Sequence, residues 1–280
     1  MVAIIPAVEV AKPTEEFPLR YGIFQAAIGP LDFPDVHARG GGLWWADAMC
    51  GGGQGYEINC IDALDTKTFN ADGLDIVTLV PFSVMSNFQC LFTDLEDAER
   101  LARQKLLSVE QSQVEQIFSE GLFAQDPSLA NNADVVTVVV AASATLSDRV
   151  GLLEQSIYCT SQYGPRAVLH VPIPVFERMK SDHLIEFDGR RWRTAVGTVV
   201  STGCYTGLTP AGAAPAAGTY WMYITGQTVV YRTGNSDIEQ IPVQGALDRT
   251  TNVYTALVER EYAVGFECGV YAIPVTLWTP

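Results

Sequence analysis

The sequence predicts an α+β fold. Three observations lead there: one long amphipathic helix about a third of the way along the chain, a series of short β-type runs on either side of it, and no second helix of comparable length. The helix is the stretch TDLEDAERLARQKLLSVEQSQVEQIFSEG, Thr93 to Gly121. Thr93 and Glu96 have capping-box spacing, and Asp94, Glu96 and Asp97 suit the positive end of the helix dipole. Leu95, Ala98, Leu101, Ala102, Leu106, Val109, Val114, Ile117 and Phe118 recur at threes and fours. Glu96–Arg100 and Glu99–Arg103 are i,i+4 pairs in the favourable order, and Gly121 is a natural stop. At 1.5 Å per residue the helix would run roughly 40 Å, long enough to act as a spine for a sheet.

The remaining elements follow in order. Residues 1–45 carry Pro6, Pro13, Pro18, Pro30 and Pro34 without a clear period. They keep too many apolar residues for a solvated tail, so an arm packed on its own body or on a neighbour is expected. In Gly40 to Cys60, glycines flank Trp44, Trp45 and Tyr56. Neither a Walker loop nor a dinucleotide fingerprint is present, since Gly55 is followed by Tyr56 rather than Lys. Residues 61–92 read as extended segments around a turn at Asn70 to Gly73. Pro81 makes them a protruding loop or an edge element.

After the long helix, Ala133 to Ala142 reads as a buried-type strand. A second helix is expected from about Ser147 to Gly164. Then RAVLHVPIPVFERM predicts a strand, a Pro-bounded turn and a short helix. WRTAVGTVVSTGCYTG and GTYWMYITGQTVVYRTG read as strands separated by the small-residue loop Leu208–Gly218. Two strands close the chain, with Val253, Thr255, Leu257 and Tyr262, Val264, Phe266 at period two.

Composition narrows the function. The chain has 280 residues, 48% hydrophobic and 18% charged, and a formal net charge of -15. That balance argues against free duplex nucleic acid as a direct partner, because no basic surplus exists to neutralise phosphates. The densest basic spot, Arg190, Arg191 and Arg193, reads as a turn. The six cysteines show neither CxxC nor a metal-type spacing. The N-terminus lacks a signal-peptide pattern and no stretch has membrane-spanning length. Reduced thiols in a protein made in the cytoplasm are therefore expected.

Catalytic chemistry is sparse. Of His37, His170 and His183, none sits in a metal or nucleophile motif, and His170 in AVLHVPIP reads as a satisfied, partly buried side chain. No catalytic, cofactor-binding or metal residue is assigned. The enzyme alternative is a metal-free α+β hydrolase using a carboxylate or Cys159 or Cys204 with His170. The arm, the glycine-flanked aromatics and the Pro-interrupted loop suit an assembling subunit better, since such parts bury their apolar residues on neighbours.

Read in this order, the layout resembles the major capsid protein of tailed double-stranded DNA bacteriophages, the Hong Kong 97-like capsid fold. PLRYGIFQAAIGPLDFPDVHARG matches its arm, DALDTKTFNADGLDIVTLVPFS its extended loop, and Thr93–Gly121 its spine helix. LSDRVGLLEQSIYCTSQYGPRAVLHVPIPVFERM and NVYTALVEREYAVGFECGVYAIPV are similar to its later helix, inner strand and closing strands, and the feel is of actinobacteriophage capsids. The resemblance implies an arm at 1–45 and an extended hairpin loop at 46–92. It implies a peripheral domain at 93–145 completed by 250–280, and an axial domain at 146–249. It implies that an Arg/Glu-containing strand pairs with a Val/Ala/Ile-rich one at the C-terminus.

It further implies self-assembly as pentamers and hexamers into an icosahedral head, in the virion and put together in the host bacterial cytoplasm. The partners implied are further copies, a separate scaffold, a portal and a decoration protein. DNA would be enclosed without sequence-specific binding, and no membrane is involved. An encapsulin-type nanocompartment shell and a minor head or decoration protein are the structural alternatives. Some members of the family cross-link a loop lysine to an asparagine. Lys67, Asn235 and Asn252 form no pattern that assigns one. The loop Leu208–Gly218 would lie near the centres of the pentamers and hexamers.

Overall fold

A computed structural model of the chain describes residues 20–35, 38, 42–47, 50, 75–91, 95–234, 238–241, 247–248 and 253–278. Most of residues 1–45 and of the extended loop, with His37, Lys67, Asn235 and Asn252, lie outside the described residues. In chain order the first elements are α1 (Ile23–Ala26), β1 (Ile28–Asp32), β2 (Leu43–Asp47), β3 (Asp75–Leu79), β4 (Phe82–Leu91) and α2 (Leu95–Glu120). Then come β5 (Val135–Thr137), α3 (Leu146–Gln155), β6 (Val168–Pro172), α4 (Ile173–Ser181), β7 (Ile185–Phe187), β8 (Trp192–Thr194) and β9 (Val199–Gly203). The last are β10 (Thr219–Thr225), β11 (Thr228–Arg232), β12 (Glu239–Ile241), β13 (Leu247–Asp248), β14 (Val253–Phe266) and β15 (Val270–Thr276). Both helices and strands are present, as an α+β fold requires.

The helix α2 is 26 residues long. Its buried stripe holds Ala98, Ala102, Leu106, Val114, Ile117 and Phe118, the threes and fours of the sequence. Each large side chain so buried contributes about 1.5–3 kcal/mol. Gly121 ends the helix in the left-handed region at φ 68°, where a Cβ would meet the Ser128 hydroxyl at 2.9 Å. The stripe packs on a six-stranded sheet centred on β14. Along one side β14 pairs with all of β4, from Val253↔Leu91 to Tyr262↔Phe82. Along the other it meets β11, β12 and β13, and β1 joins β11 in parallel. Phe82–Leu91, which follows Pro81, is therefore an edge strand of this sheet. The segment before Pro81, β3, forms a separate ribbon with β2.

On β14 the face toward α2 carries Ala256, Val258, Arg260, Tyr262, Val264 and Phe266. The sequence pattern grouped Val253, Thr255 and Leu257 with Tyr262, Val264 and Phe266. Thr255 and Leu257 have the opposite parity to Tyr262, Val264 and Phe266 on one unbroken strand, so only the latter three point inward.

A seven-stranded sheet runs β5-β15-β10-β6-β9-β8-β7. Helices α3 and α4 bury Val150, Leu153, Val175, Phe176 and Met179 against Leu169, Val171, Met222, Ile224, Ile273 and Val275. Thr145 and Asp148 close a capping box at the start of α3. The strand β6 passes directly into α4 with no turn between them, Pro172 being the N-cap and Pro174 standing in the first turn.

Three expectations need correction. The closing strands β14 and β15 do not pair: Glu267, Cys268 and Gly269 carry the chain from one sheet to the other, where β15 joins β10 and β5. The run Ala133 to Ala142 is an edge rather than a buried strand. Only Val135–Thr137 pairs, with Val136 51% and Val139 91% exposed. Thiols are not all reduced, since Cys50 and Cys268 are joined as a disulfide. Sequence spacing could not show this, because 218 residues separate the two.

Candidate functional site: buried carboxylates of the long helix

Two glutamates of α2 lie on its inward face. Glu110 is 5% exposed and accepts from Arg232 at 3.1 Å, from Arg260 at 2.9 Å and from the Tyr262 hydroxyl at 2.5 Å. Arg260 is 1% exposed and also donates from Nε to the Thr233 carbonyl at 2.7 Å. Arg232 lies over the Phe24 ring at 5.7 Å, and Phe24 stacks on Tyr262. Helix, central strand, neighbouring strand and N-terminal segment thus meet at one carboxylate. Burial, with Glu110 beside it, raises the Tyr262 phenol and keeps it neutral. The charges are paired and hydrogen-bonded, which is what makes their burial tolerable.

Glu115, one turn further on, is fully buried. Its carboxylate accepts from the Ile23 backbone N–H at 2.9 Å, from the Cys204 N–H at 2.8 Å and from Gln111 Nε2 at 2.9 Å. Desolvation outweighs these bonds and raises its pKa from 4.5 to about 7. The neighbouring glycines make room for it: a Cβ at Gly203 would stand 2.0 Å from Glu115 Oε2, and one at Gly22 2.2 Å from Oε1.

His170 is 1% exposed. It shares hydrogen bonds with the Tyr205 hydroxyl at 3.2 Å through Nδ1 and with Thr225 Oγ1 at 3.0 Å through Nε2. Burial pushes its pKa down to about 3, so the ring is neutral and satisfied, as the sequence indicated. Tyr205 also bonds Ser201 at 2.6 Å. Neither imidazole nitrogen reaches the Cys204 thiol, whose pKa is raised by desolvation and by Glu115. A thiol pushed up in this way is a poor nucleophile. Cys159 is exposed on the turn that follows α3. The cysteine–histidine pairs considered for a hydrolase are not assembled around His170.

The arginine-rich turn joins β7 to β8. Asp188 accepts from the backbone N–H groups of Arg190 at 2.9 Å and Arg191 at 2.7 Å, and from the Arg193 guanidinium. These donors hold its carboxyl well below the usual range. Arg191 donates to the Ala27 carbonyl at 3.2 Å, and Gln25 Nε2 donates to the Arg190 carbonyl at 2.7 Å. The turn therefore anchors the segment around α1. Among the described residues, no group of three or more His, Cys, Asp or Glu is placed to hold a metal ion, and no helix is long and apolar enough to cross a membrane.

Nothing in the helix pattern marks Glu110 and Glu115, because a Glu on an amphipathic helix stands on the solvated face by default. A signal existed for one partner. Arg260 shares strand parity with Val258, Tyr262 and Val264, which places a charge among inward residues and calls for a buried counter-charge.

No protein-family model matches the sequence, and no curated protein matches it. Solved structures do. The chain is similar over 100% of its length to 96% of a chain in the capsid of Ralstonia phage GP4, at 11% identity and a TM-score of 0.56. It is similar over 96% of its length to 96% of a chain from Mycobacterium phage Ogopogo, at 12% identity and a TM-score of 0.51. At such identities the likeness concerns the backbone, and it extends over the whole architecture described above. The chain has the Hong Kong 97-like phage capsid fold.

Proposed function

We propose that this chain is the major capsid protein of a tailed double-stranded DNA bacteriophage. On this reading copies assemble as pentamers and hexamers into an icosahedral head, with scaffold, portal and decoration proteins as further partners. It is a structural component of the virion capsid and catalyses no reaction of its own. The observation that carries the reading is the end-to-end match to a chain of a phage capsid, 100% of this chain on 96% of that one.

The division of labour follows from the same layout. An arm at 1–45 and an extended loop at 46–92 reach over neighbours. A peripheral domain at 93–145, completed by 250–280, is stiffened by α2, and an axial domain at 146–249 supplies five strands of the seven-stranded sheet, β6 to β10, the other two being β5 and β15. The charge of -15 suits a wall that encloses DNA without gripping it.

The test is size-exclusion chromatography with negative-stain electron microscopy of the recombinant protein, alone and with its neighbouring genes. Closed shells are expected, with DNA inside particles recovered from infected cells. A stable monomer under all these conditions would overturn the reading, and shells holding a protein cargo in place of DNA would move it to a nanocompartment.

A further inference from the structure

Cys50 and Cys268 are bonded in a chain that also keeps Cys159 and Cys204 as free thiols. The bond sits where the two sheets join. β14 ends at Phe266, β15 begins at Val270, and Glu267, Cys268 and Gly269 cross between the sheets. Beside them Gly226 and Gln227 make the crossing from β10 to β11. The two crossings are hydrogen-bonded to each other: the Gly226 N–H donates to the Glu267 carbonyl at 3.0 Å, and the Glu267 N–H to the Gln227 carbonyl at 3.2 Å. To this joint the disulfide ties Cys50, three residues beyond the end of β2 at Asp47. The β2–β3 ribbon also packs on β14 without the bond, since a Cβ at Gly265 would meet Leu79 and Trp45 at 2.8–2.9 Å. Cys268 is not a residue that its backbone asks for. Its φ is 55° and that of Gly269 is 56°. Glycine occupies this left-handed region freely, whereas a side chain there is strained. The sulfur is what accounts for a cysteine at this place.

Cys268 is 5% exposed, but Cys50 is half-buried, and both line an open crevice of about 480 Å³ with Ile76, Val77, Thr78 and Pro127. A disulfide that small thiols can reach follows the redox state of its surroundings. The cytoplasm keeps such thiols reduced, and outside the cell they oxidise. We infer that Cys50 and Cys268 form a redox staple: two thiols while subunits fold and assemble in the host cytoplasm, and a disulfide once the particle has left it. This rests on the virion reading and adds a covalent step, inside each subunit, that follows assembly. The oxidant is a low-molecular-weight disulfide. The Cys50 thiolate attacks one of its sulfurs and expels a small thiolate, leaving a mixed disulfide in the crevice. The Cys268 thiolate then attacks the Cys50 sulfur, the S–S bond forms and the second small thiolate leaves. The two departing thiolates take up the two protons that the cysteines gave up, and the oxidant gains the two electrons that they lost. With the Cα atoms 5.3 Å apart, the sulfurs meet without movement of the backbone. The bond closes a loop of 218 residues, which restricts the unfolded chain and so stabilises the folded one.

The test has two arms. In the first, infected cells are opened in excess N-ethylmaleimide, which caps free thiols before they exchange, and released particles are treated in the same way. Peptide mass spectrometry reads the state of Cys50 and Cys268, with the exposed Cys159 as the control for capping. Capped thiols are expected in the cells and a Cys50–Cys268 link in the released particles. A link already complete inside the cells overturns the inference, because the bond is then permanent, and so do capped thiols in the released particles. In the second arm the purified chain is equilibrated in glutathione buffers from reducing to oxidising, beside Cys50→Ser. The unfolding midpoint of the parent should rise by about 5 °C or more toward the oxidising end, while that of Cys50→Ser stays in place. A parent midpoint that ignores the buffer, or a Cys50→Ser midpoint that follows it equally, overturns the staple. The two readings fail separately. Shells whose Cys50 and Cys268 never link sink the staple and leave the virion reading intact. A chain that responds to the buffers but never forms shells sinks the virion reading, and with it the timing, while the thiol pair stands.

Discussion

Glu110 and Arg260 meet at 2.9 Å across 150 residues of sequence, one on the long helix and the other on the central strand. Arg260 is 1% exposed, so its charge has no recourse to water when the carboxylate is removed. Glu110→Ala should therefore cost on the order of 3–5 kcal/mol, the usual penalty for breaking a buried ion pair by removing one partner. Glu110→Ala combined with Arg260→Met should cost less than the sum of the two single changes. Urea denaturation of unassembled subunits measures both. Additive losses would show that the pair is not coupled.

Glu115 makes stability depend on pH. Its pKa is about 7 in the folded chain against 4.5 as the reference value. Between these values the folded state binds more protons at Glu115 than the unfolded one, so the contribution of Glu115 to stability is greatest below about pH 4.5 and is lost as pH rises through about 7. The full difference is on the order of 3 kcal/mol. Glu115→Gln keeps an acceptor oxygen and cannot ionise. Its NH2 must face one of the N–H groups that the two carboxylate oxygens accept from, so it should lie below the parent at pH 5, but it should flatten the profile between pH 5 and 8. Denaturation midpoints at pH 5, 6, 7 and 8 check this, and parallel profiles for the two proteins would refute it.

Gly203 is set by the same carboxylate. A methyl group there would lie 2.0 Å from Glu115 Oε2 and 2.4 Å from Cδ. Its backbone is not in the left-handed region, so space alone decides the outcome. Gly203→Ala should destabilise by about 1–3 kcal/mol through overpacking. Glu115→Ala in the same chain should recover part of that loss, since the obstructing group is gone. Thermal unfolding of the single and double variants tests the coupling.

Much of this architecture is visible in local pattern. The long helix, its stop at Gly121, α3, α4 and most of the strands follow from periods of 3.6 and 2 with their punctuating residues. What stayed hidden is long-range. Strands β10 and β11 are adjacent in sequence yet belong to different sheets, as do β14 and β15. No local signal states which partner a strand will choose. The run from Val135 has the composition of a buried strand, but composition does not state where in a sheet a strand will stand, and this one stands at the edge. The carboxylates were misplaced for the opposite reason. Glu on a helix is solvated by default, and only Arg260, Ile23 and Cys204, all distant in sequence, reverse that for Glu110 and Glu115.

The middle of α2 is where one backbone change should separate folding of the helix from everything it supports. Leu106 is fully buried in the cluster that includes Ala102, Phe82, Val84 and Val258. Leu106→Pro removes a helical N–H donor and drives the ring against the carbonyl of Ala102, a cost of about 3 kcal/mol or more. The lost side-chain burial adds roughly 2–5 kcal/mol. Together these approach the whole stability of an ordinary domain, about 5–15 kcal/mol. The break also falls between the half of the helix that buries Ala98 and Ala102 and the half that carries Glu110 and Glu115, so both polar anchors would lose their alignment with β14 and with Cys204. Leu106→Ala has a similar packing loss but leaves the helix continuous. It should give weakened subunits that still form shells, whereas Leu106→Pro should give none. Electron microscopy of the two variants decides it: normal shells from Leu106→Pro would mean that the long helix is not the stiffening element of this subunit.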